Sequence, residues 1–311
     1  MTPVTSVALL AGGTGGAKLA AGMHALLDAD LAVIANTADD TEMHGLRVSP
    51  DPDLCTYWLA GLIDEERGWG IQGDSFTVHE QLASLGAPGW FSLSDRDLAA
   101  CLYRTHFIGE GGSLTAAQAQ ISRGLGVEGR VLPMCEEPVR TTVVTPAGRR
   151  GLQEFLILDE GKAAIEGIAV EGLAEARPTP EVLEALAGSD LIVIGPSNPV
   201  ISIGPILAVP GMREAIADSP APVIAVSPFV AGRAIKGPTE AFMAAIGRPV
   251  SAAGVASLYE GLLDGIVVDE GDPDPPPEGL EVLVCPTLME GSKGRVALAD
   301  RILDWAESLT A

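Results

Sequence analysis

Cations are scarce in this chain. It carries 19 Lys and Arg against 42 Asp and Glu, a formal net charge of −23 over 311 residues. Such a surface repels nucleic acid and anionic membranes at long range. A small polyanion can bind it only through a local device: backbone amides, a few cations or a divalent metal. Aromatics are also scarce, at 4%, so the core must be built from Ala, Val, Ile and Leu. The cysteines (Cys55, Cys101, Cys135 and Cys285) fall in no C-x-x-C or Cys/His spacing, which argues against a metal finger or a thiol redox motif. Their scatter suits a reducing cytoplasm. No apolar run approaches the roughly 20 residues of a membrane-spanning helix, and Met1–Ser6 lacks the basic start of a secretory signal. The expectation is a soluble cytoplasmic protein with neither nucleic acid nor membrane as partner.

With 47% hydrophobic residues, the chain is far from the disordered class. Short runs, apolar throughout and bounded by Gly, Pro, Asn or Asp, read as strands: Val7–Ala11, Leu31–Ala35, Leu191–Ile194, Val223–Val226, Gly265–Val268 and Leu280–Val284. Helical segments are expected at Ala17–Leu27, Pro180–Leu186, Met212–Ala217, Thr239–Ile246 and Ser257–Leu263. Alternation of this kind predicts an α/β fold, a Rossmann-like, mostly parallel sheet with helices on both faces. The middle of the chain reads differently. It is mainly helical, with a β-hairpin formed by Thr141–Thr145, a Pro146-Ala147-Gly148 turn and Leu152–Leu158. The division expected is a nucleotide-binding core from 1–53 and 159–311, with 54–158 as an inserted subdomain. Asp272–Glu278, rich in proline, reads as a surface loop.

Several motifs fall where a doubly wound sheet binds ligands, beyond the carboxyl ends of its strands. Gly12-Gly13-Thr14-Gly15-Gly16-Ala17-Lys18 follows the first strand and opens a helix. Glycines admit a close ligand, the helix start offers free amides to a phosphate, and Lys18 adds a cation. The run is neither a P-loop nor a strict dinucleotide fingerprint, and a plain structural turn is the alternative. Asn36-Thr37-Ala38-Asp39-Asp40 and Ser49-Pro50-Asp51-Pro52-Asp53 follow. Carboxylates so close to a phosphate site suit Mg²⁺, although turn and capping roles compete, Asp53 as cap of a helix starting near Leu54. Ser94-Asp95-Arg96-Asp97 reads as an N-cap with first-turn acids, its Arg free to grip a ligand. Gly195-Pro196-Ser197-Asn198-Pro199 and Ser227-Pro228 close two later strands. His44, between the acid clusters, is the one histidine placed to matter. Trp69-Gly70 and Trp90-Phe91 either line a planar-ligand pocket or pack the core.

Taken in order, these motifs, with Gly68-Trp69-Gly70-Ile71, Ser202-Ile203-Gly204-Pro205-Ile206, Pro210-Gly211-Met212-Arg213 and Val226-Ser227-Pro228, resemble the 2-phospho-L-lactate transferase family (CofD/FbiA) over nearly the whole chain. The resemblance implies a transferase of coenzyme F-420 biosynthesis. Such an enzyme moves a phospholactyl or phosphoenolpyruvyl group from a guanosine-diphosphate-linked donor to the ribityl hydroxyl of the deazaflavin Fo (7,8-didemethyl-8-hydroxy-5-deazariboflavin), and GMP leaves. It implies Mg²⁺ held by Asp39 and Asp51, and Asp51 or Asp53 orienting or deprotonating the hydroxyl. Fo is contacted by Asp53 and Arg96 in a pocket the insert helps to form. The nucleotide cradle then comprises Gly12, Gly13, Thr14, Gly15, Gly16 and Lys18, with Ser197, Asn198 and Ser227 beside it. A homodimer is the expected assembly. The loop departs from its relatives in reading Gly-Gly-Ala-Lys where several have Gly-Thr-Pro-Lys, so lactyl and enolpyruvyl donors both stay open. Two other readings suit the residues: an NAD(P)-dependent oxidoreductase, with Asp39 on a ribose, and a non-catalytic nucleotide-binding regulator.

Overall fold

The computed structural model of the chain describes residues 3–27 and 30–309, so Met1 and Thr2 of the opening segment lie outside it. The first half runs β1 (Val7–Ala11), α1 (Gly13–Leu27), β2 (Leu31–Ala35), hairpin β3 (Thr41–Met43) and β4 (Leu46–Val48), and α2 (Pro50–Leu59). Then come α3 (Thr77–Ser84), α4 (Asp95–Gly109), α5 (Leu114–Gly124), β5 (Arg130–Pro133), β6 (Arg140–Thr145), β7 (Gly148–Gly151), α6 (Leu152–Ile157) and β8 (Gly167–Glu171). The second half runs α7 (Pro180–Gly188), β9 (Leu191–Ile194), α8 (Ile203–Ala208), α9 (Met212–Ala217), β10 (Val223–Val226), β11 (Phe229–Val230) and β12 (Arg233–Ala234). It closes with α10 (Thr239–Ala245), α11 (Ala252–Leu258), β13 (Gly265–Asp269), β14 (Glu281–Cys285) and α12 (Gly291–Leu309).

The main sheet has seven strands in the order β14-β13-β10-β9-β1-β2-β5, and every pairing is parallel. Its inner strands β1, β2, β9 and β10 are apolar at every position because both faces are covered. Alternate residues feed opposite cores, as the pleat requires. Val7, Leu9, Leu31, Val33, Leu191 and Val193 pack with α1, α2 and α12. Ala8, Leu10, Ala32, Ile34, Ile192 and Ile194 pack with α7, α8, α9 and α11. The chain builds outward from β1 through β2 and β5, then returns to the other side of β1 with β9. The loops after β1 and β9 therefore part company, and an open α/β sheet binds its ligand in that crevice.

Three local expectations change. The insert is less separate than 54–158 implies, because α2 begins at Pro50 and β5 joins the main sheet beside β2. The small antiparallel sheet, ordered β7-β6-β8, runs on to Glu171. The second arm of the hairpin is Gly148–Gly151, not Leu152–Leu158, which is helix at Leu152–Ile157. There Leu152 and Phe155 bury at helical spacing and Glu154 accepts the Gly151 amide (3.1 Å). The expected helix at Ser257–Leu263 lies earlier, over Ala252–Leu258, because Ser251 caps it through the Gly254 amide (3.2 Å). Asp272–Glu278 is loop, and no described helix is long and apolar enough to cross a membrane.

Candidate active site

A cavity of about 680 Å³ opens at the switch point. The loop after β1 forms part of its wall, and its glycines answer to close packing. A Cβ on Gly12 would sit 2.6 Å from Asp51 Oδ2, and one on Gly15 would collide with the Pro196 carbonyl of the loop after β9. Gly13 has free space but a φ of +62°, which L side chains rarely adopt. The Gly12 amide donates to Ser197 Oγ (3.1 Å), and the Gly13 amide donates to Asp51 Oδ1. Gly12, Gly13, Thr14, Gly15, Lys18, Ser197, Asn198 and Ser227 line the cavity. Gly16 lies behind the loop, against Ser197 and Ala11. Asn198 spends its carbonyl oxygen on the Val200 and Ile201 amides (2.9 and 3.2 Å), so its first task is to shape the loop.

The acids sit on a second wall. Asp39, Asp51, Asp53 and Asp97 are all buried and all line the cavity. Asp51 and Asp53 occupy the first turn of α2, not the loop before it, because Pro50 takes the first helical position without needing an amide. Asp53 is therefore no cap for a helix starting at Leu54. Asp51 Oδ2 accepts from Asn36 Nδ2 (3.0 Å). Burial pushes Asp51 up to about 6, opposed by its bonds to Asn36 and Gly13. Burial, then the charges of Asp51 and Asp40, hold Asp39 well above the carboxylate range. Asp39 Oδ2 accepts from Gln153 (3.2 Å), while its Oδ1 is buried without a partner. A buried carboxylate oxygen with nothing to accept, close to a second carboxylate, fits a hard divalent cation. The residues Asp39 and Asp51 present suit Mg²⁺ on that ground. Asp53, Asp97 and Cys101 also bring three ligand atoms within 4.8 Å of one another. That trio suits Mg²⁺ less well, since it includes a soft thiol whose ionisation burial opposes, and Asp53 is already paired with Arg104.

Beneath the acids lies a network that the motif reading missed. Arg104 of α4 is fully buried and ion-paired to Asp53 Oδ1. It also donates to Gln118 Oε1 (3.1 Å) and the Arg47 carbonyl (3.3 Å). Asp53 Oδ2 is buried with no partner. Tyr57 OH donates to Asp97 Oδ1 (2.8 Å), and burial, then Asp53, pushes Asp97 up to about 7. Helical spacing carried the signal. Tyr57 is four residues after Asp53, and Arg104 seven after Asp97, so each pair shares a helix face. Arg96, the expected acceptor contact, does not line the cavity. It is exposed at the start of α4, its amide bonded to Asp74 Oδ2 (2.8 Å). His44 is likewise outside; with Gly45 it forms the exposed left-handed turn between β3 and β4 (φ 54° and 76°). Trp69, Trp90 and Phe91 do line the cavity and give it aromatic surface.

The cations are few. Lys18 reaches the cavity 5.7 Å from the Trp58 ring centroid. Burial, then Lys236 and Arg295, lowers its pKa. Arg67, paired to Asp64 (3.0 Å), and Lys236 are the other cavity-lining cations among the described residues.

The family model described as 2-phospho-L-lactate transferase CofD matches residues 7–280. A phosphoenolpyruvate transferase of Streptomyces griseus is 40% identical, over 98% of this chain and 99% of its own. A 2-phospho-L-lactate transferase of Methanopyrus kandleri is 40% identical, over 97% of each chain. Among solved structures, a UPF0052-family protein from Bacillus halodurans superposes with a TM-score of 0.63 at 19% identity, covering 97% of this chain and 99% of its own. That likeness concerns the fold alone.

Proposed function

The chain belongs to the 2-phospho-L-lactate transferase CofD family, and we propose that within coenzyme F-420 biosynthesis it joins a guanosine-diphosphate-linked three-carbon acid to Fo. The group moved is phospholactyl or phosphoenolpyruvyl. Relatives of both printed activities share 40% identity with this chain, so sequence distance favours neither donor. The observation that carries the reading is the contact between the two walls: Asp51 accepts the amide of Gly13, so the phosphate loop and the acid cluster form one site.

Transfer of this kind asks for positioning, charge neutralisation and a base, with no protein nucleophile. Gly12 and Gly13 already donate to Ser197 and Asp51, so the loop amides beyond them and Lys18 take the diphosphate, with Ser197, Asn198 and Ser227 shaping the nucleotide side. Asp39 and Asp51 would hold Mg²⁺, which when bound neutralises charge building on the phosphoryl oxygens. Asp53 is the candidate base. Arg104 occupies one of its oxygens, and the unpartnered Oδ2 orients the terminal ribityl hydroxyl and takes its proton. A new bond forms from that hydroxyl oxygen to the phosphorus bearing the organic acid. The bond from that phosphorus to GMP breaks, and GMP leaves with the electron pair. Trp69, Trp90 and Phe91 offer the ring of Fo an apolar, aromatic surface. Arg96 is left as a contact only for a ligand that extends past the rim. We place the enzyme in the cytoplasm and propose a homodimer, which light scattering checks.

Mass spectrometry of the product made from Fo and each candidate donor tests the reading, since the lactyl and enolpyruvyl products differ by two hydrogens. Absence of both masses, with folded protein and Mg²⁺ present, refutes it.

A further inference from the structure

We propose that Lys236, seated on Gly68 at the cavity, is a ligand of the donor's diphosphate, and that the Gly68-Trp69-Gly70 turn exists to seat it. The inference rests on the guanosine-diphosphate reading above. Its first ground is geometry. Lys236, Gly68, Trp69 and Gly70 all line the cavity. Gly68 has a φ of +80°, and a Cβ there would collide with Lys236 Nζ. The turn thus lacks a side chain where the ammonium rests.

The second ground is charge. A diphosphate entering a chain of net charge −23 needs cations that are not already neutralised. Of the cavity-lining cations Lys18, Arg67 and Lys236, only Arg67 has an ion pair among the described residues. Lys236 is the leading charge acting on Lys18, and two like charges brought this close cost energy until an anion joins them.

The third ground is anchoring. Lys236 follows the β11–β12 hairpin, which is held at its turn and again at the end of β12. Asp269 accepts the Ala231 amide (3.1 Å), together with the Thr287 amide (2.9 Å) and hydroxyl (3.0 Å) of the next cavity loop. Glu240 accepts the Ala234 amide (2.9 Å). Both ends of β12 are thus tied down, and Ile235–Gly237 beyond it is exposed.

The test compares GDP with GMP as inhibitors of turnover, because only GDP carries the second phosphate. In Lys236→Met the GDP inhibition constant rises roughly tenfold while that of GMP changes less than about twofold, as expected for one lost charge-assisted bond. The KM for Fo stays within about twofold by the same argument, and Lys236→Arg recovers most of the GDP binding. Gly68→Ala, which displaces the ammonium, weakens GDP more than GMP in the same way. If Lys236→Met weakens both nucleotides equally, or neither, the inference is overturned. If GDP fails to inhibit the wild-type enzyme at all, the donor reading falls instead.

Discussion

Removing Arg104 is the sharpest test of the buried network under the site. Its guanidinium is fully buried and serves three acceptors: Asp53, Gln118 Oε1 at 3.1 Å and the Arg47 carbonyl at 3.3 Å. In Arg104→Met the carboxylate of Asp53 stays buried with no countercharge. Breaking a buried pair in this way costs about 3–5 kcal/mol, a large share of the roughly 5–15 kcal/mol that holds a domain folded. The double variant Asp53→Asn/Arg104→Met leaves no unpaired charge and should cost only about 1–2 kcal/mol, the value of unsatisfied neutral partners.

The two variants also differ in pH dependence. Burial already raises Asp53, and Arg104 opposes that rise; without Arg104 its folded-state pKa moves further up. The folded protein then binds a proton that the unfolded chain has released. Stability is retained below the unfolded value of about 4 and lost as pH climbs through the folded value, by about 1.4 kcal/mol per unit over that window. Urea unfolding followed by tryptophan fluorescence should show Arg104→Met nearer wild type at pH 5 than at pH 8, and the double variant with no such slope. Equal cost at both pH values, or a double variant no better than the single, refutes the argument.

Asp51→Asn should retain the fold and lose on the order of 10²-fold or more in kcat, the scale of losing a charge-stabilising group; near-normal product formation removes Asp51 from the metal site. Lys18→Ala should raise the KM of the donor about tenfold and that of Fo little, which steady-state kinetics with each substrate varied will read. Gly15→Ala forces a Cβ into the Pro196 carbonyl, so its melting temperature should fall, whereas Gly13→Ala has room and pays mainly about 1–2 kcal/mol of left-handed backbone strain. Chelation by EDTA should abolish turnover and added Mg²⁺ restore it, while the melting temperature of the free protein stays nearly constant.

Six of the seven strands of the central sheet were legible as short apolar runs between turn residues; β5, which opens on Arg130 and closes on Pro133, was not. Strands β1, β2, β9 and β10 have the bounds expected of them. The cavity lies at the edge where the glycine loop, the Asn36–Asp40 segment, Ser197 and Ser227 were expected to meet. What failed were boundaries where two signals compete. Leu152–Leu158 has the apolar content of a strand, yet the Gly151 amide and Glu154 start a helix there. Pro50 and Pro52 read as turn-formers, yet they tolerate the first turn of α2 and put Asp51 and Asp53 on it. Arg104 was invisible because it stands in no motif. Its role arises only when α4 folds over α2, a contact between residues 51 positions apart.

The net charge of −23 resolves into unequal parts once the cavity is described. Asp39, Asp51, Asp53 and Asp97 are buried, and desolvation raises all four, so at this wall burial works against the charge the acids carry. A free diphosphate presented to these acids would be repelled in proportion to the charge they keep. A cation at Asp39 and Asp51 would favour their charged forms, since metal ligands must be deprotonated. The charges that most affect Lys18 are Lys236, Arg295, Glu65 and Glu290, none of them in this acid cluster. The cavity is thus polarised, with lysines that make no ion pair among the described residues in one part and acids crowded in another, which suits the proposed pairing of a diphosphate with a hydroxyl to be deprotonated. It follows that in the absence of Mg²⁺ the wild-type enzyme should bind GDP more weakly as pH rises from about 5 to 8 across the range where Asp51 ionises, and that Mg²⁺ should flatten this slope. Isothermal titration of GDP at several pH values reads it, and an equal slope with and without Mg²⁺ would show that the acids and the diphosphate do not share one site.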